Sequence, residues 1–359
     1  MLVSVVFVLI SFMLPVQVWR TGELPATPIQ VQQAEPFTVS PVRVWIDTDA
    51  ACGQGQRTDP DDCLAILLLA QQDHIHLVGV STIYGNTRQN ETDRVTRDLI
   101  DVIEKNGRPT IPVYSGTAEP LNESVNVVHR HEAHEALSNA LKEPLVIVAL
   151  GPLTNIAIAL KYLPQLQANV TQLVAVMGRG KGHVFHPVEV GTAHSFFGHG
   201  PIFRDFNLTE DEQAAAAILA MGLPLTLIPY EAARNIVLDA SCLDKMAARG
   251  GPAAWVAHHA RPWLSYWQED IGIDAFYPFD LVAASYIAQP SLLSCANVPI
   301  GIEEDGWLFG WLGYRGLFVE FTHETGSPTL DFGNCLYCPE VSKHLEAWLM
   351  DQLTGEPKH

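Results

Sequence analysis

At 359 residues, with 48% hydrophobic and only 17% charged side chains, the chain is far from a disordered composition and long enough to bury a large core. Its 21 Lys and Arg stand against 40 Asp and Glu, a net charge of −19. A field of that sign repels phosphate backbones and anionic membrane surfaces, which excludes a nucleic-acid polymer as partner and leaves cations and small neutral molecules as suitable ones.

Residues 1–18 form an apolar stretch interrupted only by Ser4, Ser11, Pro15 and Gln17. Such a stretch reads as a secretory signal or as an uncleaved anchor, making the protein exported (periplasmic or secreted) or membrane-anchored, with membrane contact only through this segment. A mis-assigned start codon would instead make the protein cytoplasmic. Residues 19–40, rich in Pro, Gln and Thr, read as a linker, and residues 41–355 as one domain. Val42-Arg-Val-Trp-Ile46 is alternating and β-branched, so it reads as a strand, and it runs directly into Asp47-Thr-Asp49. After a Gly- and Gln-bearing loop, Asp59-Pro-Asp61-Asp62 opens the apolar run Cys63 to Ala70, which suits a buried helix with two carboxylates in its first turn.

The pattern repeats with a strand over His76 to Thr82, the turn Tyr84-Gly-Asn86 and a helix from Thr92 to Lys105. Leu145 to Leu150 is a continuous apolar run of the kind a central parallel strand needs, followed by Gly151-Pro-Leu-Thr-Asn155 and a helix from Ile156 to Leu163. A strand over Leu173 to Met177 leads into a Gly- and His-rich stretch to about Pro201, read as a long loop over a site. A helix over Glu210 to Met221, a strand over Leu225 to Ile228, a helical stretch from Asp239 to Gln268 and a helix from Leu281 to Ala288 continue the alternation. Val298 to Phe332 reads as β-hairpins, and Glu340 to Gln352 as a closing amphipathic helix. Alternating strands and helices predict an α/β fold with an open, mostly parallel central sheet flanked by helices.

Six cysteines, Cys52, Cys63, Cys242, Cys295, Cys335 and Cys338, are too few for a disulfide-stapled mini-domain, and their pairing is open. Cys335-Leu-Tyr-Cys338 lacks a second pair at ligand spacing, so it reads as a local disulfide or two ordinary thiols. The carboxylates carry more. Asp47, Asp49, Asp61 and Asp62 gather at a strand's carboxyl end and a helix's first turn, where they would repel one another unless a cation sat among them. With no His or Cys at close spacing, the donors suit a hard ion that takes oxygen ligands, calcium rather than zinc.

These residues resemble the inosine-uridine preferring nucleoside hydrolases. Asp47-Thr-Asp49 with Asp61-Asp62 is similar to the family's amino-terminal aspartate motif, and Ala149-Leu-Gly-Pro-Leu-Thr-Asn155 to its central signature. Val176-Met-Gly178 resembles its methionine-glycine turn, Asp205-Phe-Asn207 its sugar-binding motif, and Tyr277-Pro-Phe-Asp280 its late metal-ligand motif. The order and spacing cover roughly residues 42–300. The resemblance implies calcium-dependent hydrolysis of the N-glycosidic bond of ribonucleosides, with Ca2+ held by Asp49, Asp62, Asp280 and the Leu150 backbone carbonyl. Asp61 would be the general base, drawing a proton from a water acidified by the cation. Asn86, Met177, Asp205 and Asn207 would grip the ribose, with Asp47 supporting from the edge. A homo-oligomer is expected on resemblance alone.

The chain also departs from the family pattern. The usual motif has three residues between the first aspartate and the pair; here Ala50–Pro60 makes eleven, an insertion expected to fold outward and leave the ligands aligned. Phe279 stands where many members carry a His that helps protonate the departing base. Alternative sources are His129, His131, His134, His183, His186, His194 and His199, or a Trp such as Trp263 or Trp267 stacked on a purine. His199 also occupies about the place of a sugar-binding Asn, and Asp205 replaces the commoner Glu. A catalytically weakened nucleoside- or ribosyl-binding protein on the same fold is the alternative reading.

Overall fold

The computed structural model describes residues 30–39, 41–55, 57–121, 131–180, 205–307, 312–319 and 330–355. From Val31 onward the chain forms one compact unit. Residues 31–39, read from sequence as the end of a linker, already belong to it: β1 (Gln32–Gln33) pairs with the later strand residues Ser294 and Cys295, and Phe37 packs edge-on against Tyr286.

β2 (Val42–Thr48) leads to α1 (Asp61–Ala70), β3 (Ile75–Thr82), α2 (Gln89–Lys105) and β4 (Val113–Ser115). α3 (Glu132–Ala140), β5 (Leu145–Ala149), α4 (Thr154–Tyr162), β6 (Val170–Ala175) and β7 (Arg179–Gly180) follow. Next come α5 (Phe206–Glu210), α6 (Glu212–Ala220), β8 (Leu225–Leu227), α7 (Tyr230–Ala233), β9 (Leu238–Asp239), α8 (Ala240–Arg249) and α9 (Gly251–Tyr266). β10 (Ala275–Phe276), α10 (Phe279–Ala288), β11 (Leu293–Trp307), β12 (Leu312–Val319), β13 (Leu330–Val341) and α11 (Leu345–Thr354) complete the chain. The main sheet has eleven strands in the order β4-β3-β2-β5-β6-β8-β13-β11-β12-β7, with β1 on β11. Pairing is parallel from β4 through β13 and between β12 and β7, whereas β11 runs antiparallel to β1, β12 and β13. The expected mostly parallel α/β sheet is therefore present.

β2 lies between β3 and β5, so the chain leaves it toward one side and later returns on the other. At that reversal the loops after β2 and β5 diverge and open a crevice at the strands' carboxyl ends. α1 and α10 are buried along their whole lengths, which is why neither shows a polar face in the sequence. α2 is instead amphipathic: Val95, Leu99, Ile100 and Ile103 turn inward, while Arg97 and Lys105 pair with Asp93 and Asp101 one turn back.

Three boundaries differ from the sequence expectation, each for a local reason. The long helical stretch from Asp239 breaks into α8 and α9 at Gly250 and Gly251, whose φ values of 81° and 56° no continuing helix accepts. The helix expected from Glu210 is split at Asp211, whose carboxylate caps α6 by accepting from the Ala214 amide at 2.9 Å. α11 starts only at Leu345, because Glu340 and Val341 are still paired with Ser294 and Leu293. The sheet also corrects the cysteine reading. Cys338 bonds to Cys295 across β11 and β13, Cys335 is a buried thiol, and no local bridge joins Cys335 to Cys338.

Closing a loop with a sequence separation of 43 residues, the Cys295–Cys338 bond should contribute about 3–4 kcal/mol. The Cys295→Ala/Cys338→Ala chain is expected to unfold at lower denaturant by that margin, and Cys335→Ala to match the wild type. Equal midpoints for all three chains would refute the assignment.

Candidate active site

The carboxyl end of β2 and the first turn of α1 meet α10 at its N-terminus. Carboxylate oxygens of Asp61, Asp62 and Asp280 lie within 4.8 Å of one another, all three residues buried. Asp61 is held by backbone: its Oδ1 accepts from the Asp62 amide and its Oδ2 from the Asp280 amide, each at 3.1 Å. Asp62 Oδ1 accepts from the Thr48 hydroxyl and, at 3.2 Å, from the Asp49 amide. Asp49 in turn takes the Asn86 amide on Oδ2 at 2.8 Å and the Asn86 side chain on Oδ1 at 3.3 Å. Gly85 is obligatory here, since a Cβ at that position would collide with the Asp49 carboxylate. Asp47, paired across the sheet with Ser81 and Ala149, places Oδ1 against the Ser81 hydroxyl and the Asn155 amide, while Oδ2 is buried with no hydrogen-bond partner among the described residues.

The sugar-side residues assemble around the loops after β5 and β6. Asn207 donates from Nδ2 to the carbonyls of Leu150 at 2.6 Å and Val176 at 3.0 Å. Asp205 caps α5, accepting from the Leu208 amide, and also takes the Gly178 amide at 2.6 Å beside buried Met177. Phe279, the first residue of α10, packs against the rings of Tyr230 and Tyr277 at 6.0 and 6.5 Å. The structure thus brings together Asp47, Asp49, Asp61, Asp62, Asp280 and Asn86, and places Asn207 on the Leu150 carbonyl. The compact triad of acid oxygens includes Asp61, with Asp49 alongside.

Several sequence candidates sit elsewhere. His129, His183, His186, His194 and His199 lie outside the described residues, as does most of the expected covering loop. His134 is buried with its ring turned onto Asn155. Trp263 and Trp267 are buried, in ring contact with each other and with Tyr266 and Tyr277. Residues without an assigned role emerge instead. Thr48 and Ser81 hold carboxylates, and Asp59 accepts from the Asp61 amide at 3.1 Å. Their signal, small polar side chains at strand ends and a third acid before the pair, is too common to have selected them.

The insertion has both ends buried. Cys52 bonds to Cys63 in α1, Ala50 and Ala51 are fully covered, and Gly53 (φ 76°) lies against the His259 ring. Its tip is exposed, with Arg57 over the Tyr266 ring at 5.2 Å and 3.4 Å from Asp270. The outward fold leaves Asp49 and Asp61 aligned.

Burial dominates the electrostatics. It raises Asp47 to about 7 and, reinforced by the neighbouring Asp61, Asp62 to about 7. Asp49, Asp59 and Asp280 are pushed well above the ordinary carboxylate range by burial and then by their acidic neighbours. Asp205 rises to about 6 through burial, partly offset by the Gly178 and Leu208 amides. Such a set resists ionisation by itself, and a divalent cation is the group that would let it ionise together. The all-oxygen donors and the unpartnered Asp47 Oδ2 fit a hard ion.

Asp47 and Asp62, near 7 when folded against an ordinary 3.8, bind more protons in the folded than the unfolded chain between about pH 4 and 7. The metal-free protein should therefore lose stability as pH rises through that window, and excess CaCl2 should remove the loss. Melting temperatures at pH 5 and 7.5, with chelator or calcium, test this; a flat metal-free profile would contradict it. Displacing Asp49 by Gly85→Ala should lower divalent-cation affinity, measured calorimetrically, by roughly 10- to 100-fold.

The family model of the inosine-uridine preferring nucleoside hydrolases matches residues 44–328. An uncharacterised protein of Schizosaccharomyces pombe is 28% identical over 292 residues, 73% of this chain and 85% of its own. Uridine nucleosidase 1 of Arabidopsis thaliana is 23% identical over 311 residues, covering 74% of this chain and 87% of the relative. Among solved structures, a plant nucleoside hydrolase superposes with a TM-score of 0.69 at 20% identity, covering 88% of this chain and 99% of that one. A purine-preferring ribonucleoside hydrolase from Gardnerella vaginalis gives 0.64 at 18% identity, covering 87% and 98%. The chain belongs to the inosine-uridine preferring nucleoside hydrolase family and is a hydrolase of N-glycosyl compounds.

Proposed function

We propose that the protein hydrolyses ribonucleosides to ribose and free base in a calcium-dependent reaction with Asp61 as general base. The observation that carries this reading is the buried triad of Asp61, Asp62 and Asp280 oxygens at two converging helix N-termini. Asp61 is fixed by two backbone amides, so its carboxylate can take a proton from water without reorienting. The surrounding acids favour the positive charge that develops on the sugar as the glycosidic bond breaks. Asp49, Asp62, Asp280 and the Leu150 carbonyl would hold the calcium, which when bound neutralises the cluster and makes water more acidic. The Leu150 carbonyl accepts from Asn207 Nδ2 and keeps a second lone pair for the cation. Phe279, with no proton to give, would border the base beside Tyr230.

Two disulfides, Cys52–Cys63 and Cys295–Cys338, support export through residues 1–18, because such bonds persist in oxidising compartments.

Release of reducing sugar from inosine, uridine, adenosine and their 2′-deoxy forms tests the reading. Wild-type protein should cleave ribonucleosides faster than deoxynucleosides, lose activity to a chelator and regain it with calcium. Asp61→Asn should lower kcat by about 10²- to 10⁴-fold. Equal rates for wild type and Asp61→Asn would leave only the ligand-binding alternative.

A further inference from the structure

Behind the acid cluster runs a chain of hydrogen bonds whose direction is fixed at every link. His134, fully buried on α3, has Nδ1 3.0 Å from the His131 backbone amide, so Nδ1 accepts and the ring proton resides on Nε2. Nε2 lies 3.1 Å from Asn155 Oδ1, which also accepts from the Thr117 amide at 3.0 Å. With its oxygen doubly occupied, Asn155 turns Nδ2 to Asp47 Oδ1 at 2.8 Å and to the Thr82 carbonyl at 3.1 Å. All four hydrogen-bonding positions of the amide are filled, and it cannot flip without losing them. Gly116 closes the cradle, since a Cβ there would collide with both amide heavy atoms.

At the far end, Asp47 Oδ1 receives a second donor, the Ser81 hydroxyl, itself held by Trp45 Nε1 at 2.8 Å. Two donors on Oδ1 fix the carboxylate plane and leave Oδ2 buried with no hydrogen-bond partner among the described residues. The Nε2 proton of His134 is thus directed to Asn155.

We propose that His134 is a positioning residue: through Asn155 it sets the orientation of Asp47, so that Oδ2 is presented as an acceptor to the cation site. This rests on the hydrolase reading above. Outer partners that orient groups around a metal characteristically change its affinity when removed, although they never touch it.

Calcium affinity by calorimetry and kcat and KM for inosine are to be measured for wild type, His134→Leu, His134→Gln, Asp47→Asn and the His134→Leu/Asp47→Asn double variant. His134→Leu should weaken calcium binding and lower kcat by about 10-fold, with KM little changed. His134→Gln, which can still donate to Asn155, should recover most of the loss. The double variant should match Asp47→Asn alone, because His134 acts through Asp47. Additive losses, or unchanged calcium affinity in His134→Leu, would overturn the proposal. If His134→Leu does not fold, His134→Gln in the Asp47→Asn background decides by the same criterion. Calcium binding is read without turnover, so an inactive wild type would count against the hydrolase reading alone.

Discussion

Everything about this protein is arranged around keeping several carboxylates dry and close together. Asp47, Asp49, Asp61, Asp62 and Asp280 are all buried, within reach of one another's fields. Unpaired ionised acids in an apolar interior are among the costliest things a fold can contain. Here the cost is met by donors. The N-termini of α1 and α10 point their free amides at the acids, and Thr48, Ser81, Asn86 and Asn155 supply side-chain donors. The donors to these acids are backbone amides, hydroxyls and asparagine side chains, all of them neutral, which makes a cation the natural counter-charge.

The sheet topology explains why these acids meet. Asp47 lies near the end of β2 and Asp49 just beyond it, at the point where strand order reverses and the loops after β2 and β5 diverge. α1 and α10, apolar on every side, can pack centrally and deliver their first turns to the same crevice. A helix with a polar face would have been confined to the surface. The disulfide from Cys52 to Cys63 does comparable service for the insertion, tying its entry to α1 so that extra residues between Asp49 and Asp61 do not separate the two.

The surroundings of Asp61 and of Phe279 differ sharply. Asp61 is held by two backbone amides within a dense donor network. Phe279 lies among the aromatic rings of Tyr230 and Tyr277, and it stands where many members of the family pattern carry a histidine that helps protonate the departing base. His134, a sequence candidate for that task, faces the other way and supports the acids instead.

The sequence by itself determined the α/β alternation, the order of the aspartate-bearing motifs and the identity of the acids, because strand and helix periodicity and helix-start chemistry are written in neighbouring residues. Even the outward course of the insertion followed from the tolerance of surface loops. Only the tertiary structure decided that His134 and Asn155 stand behind Asp47, that Trp263 and Trp267 are core, and that Cys338 bonds Cys295 rather than Cys335. The physical reason is common to all three. Each depends on which way a side chain turns between elements far apart in the chain, and that direction is set by packing, not by local pattern.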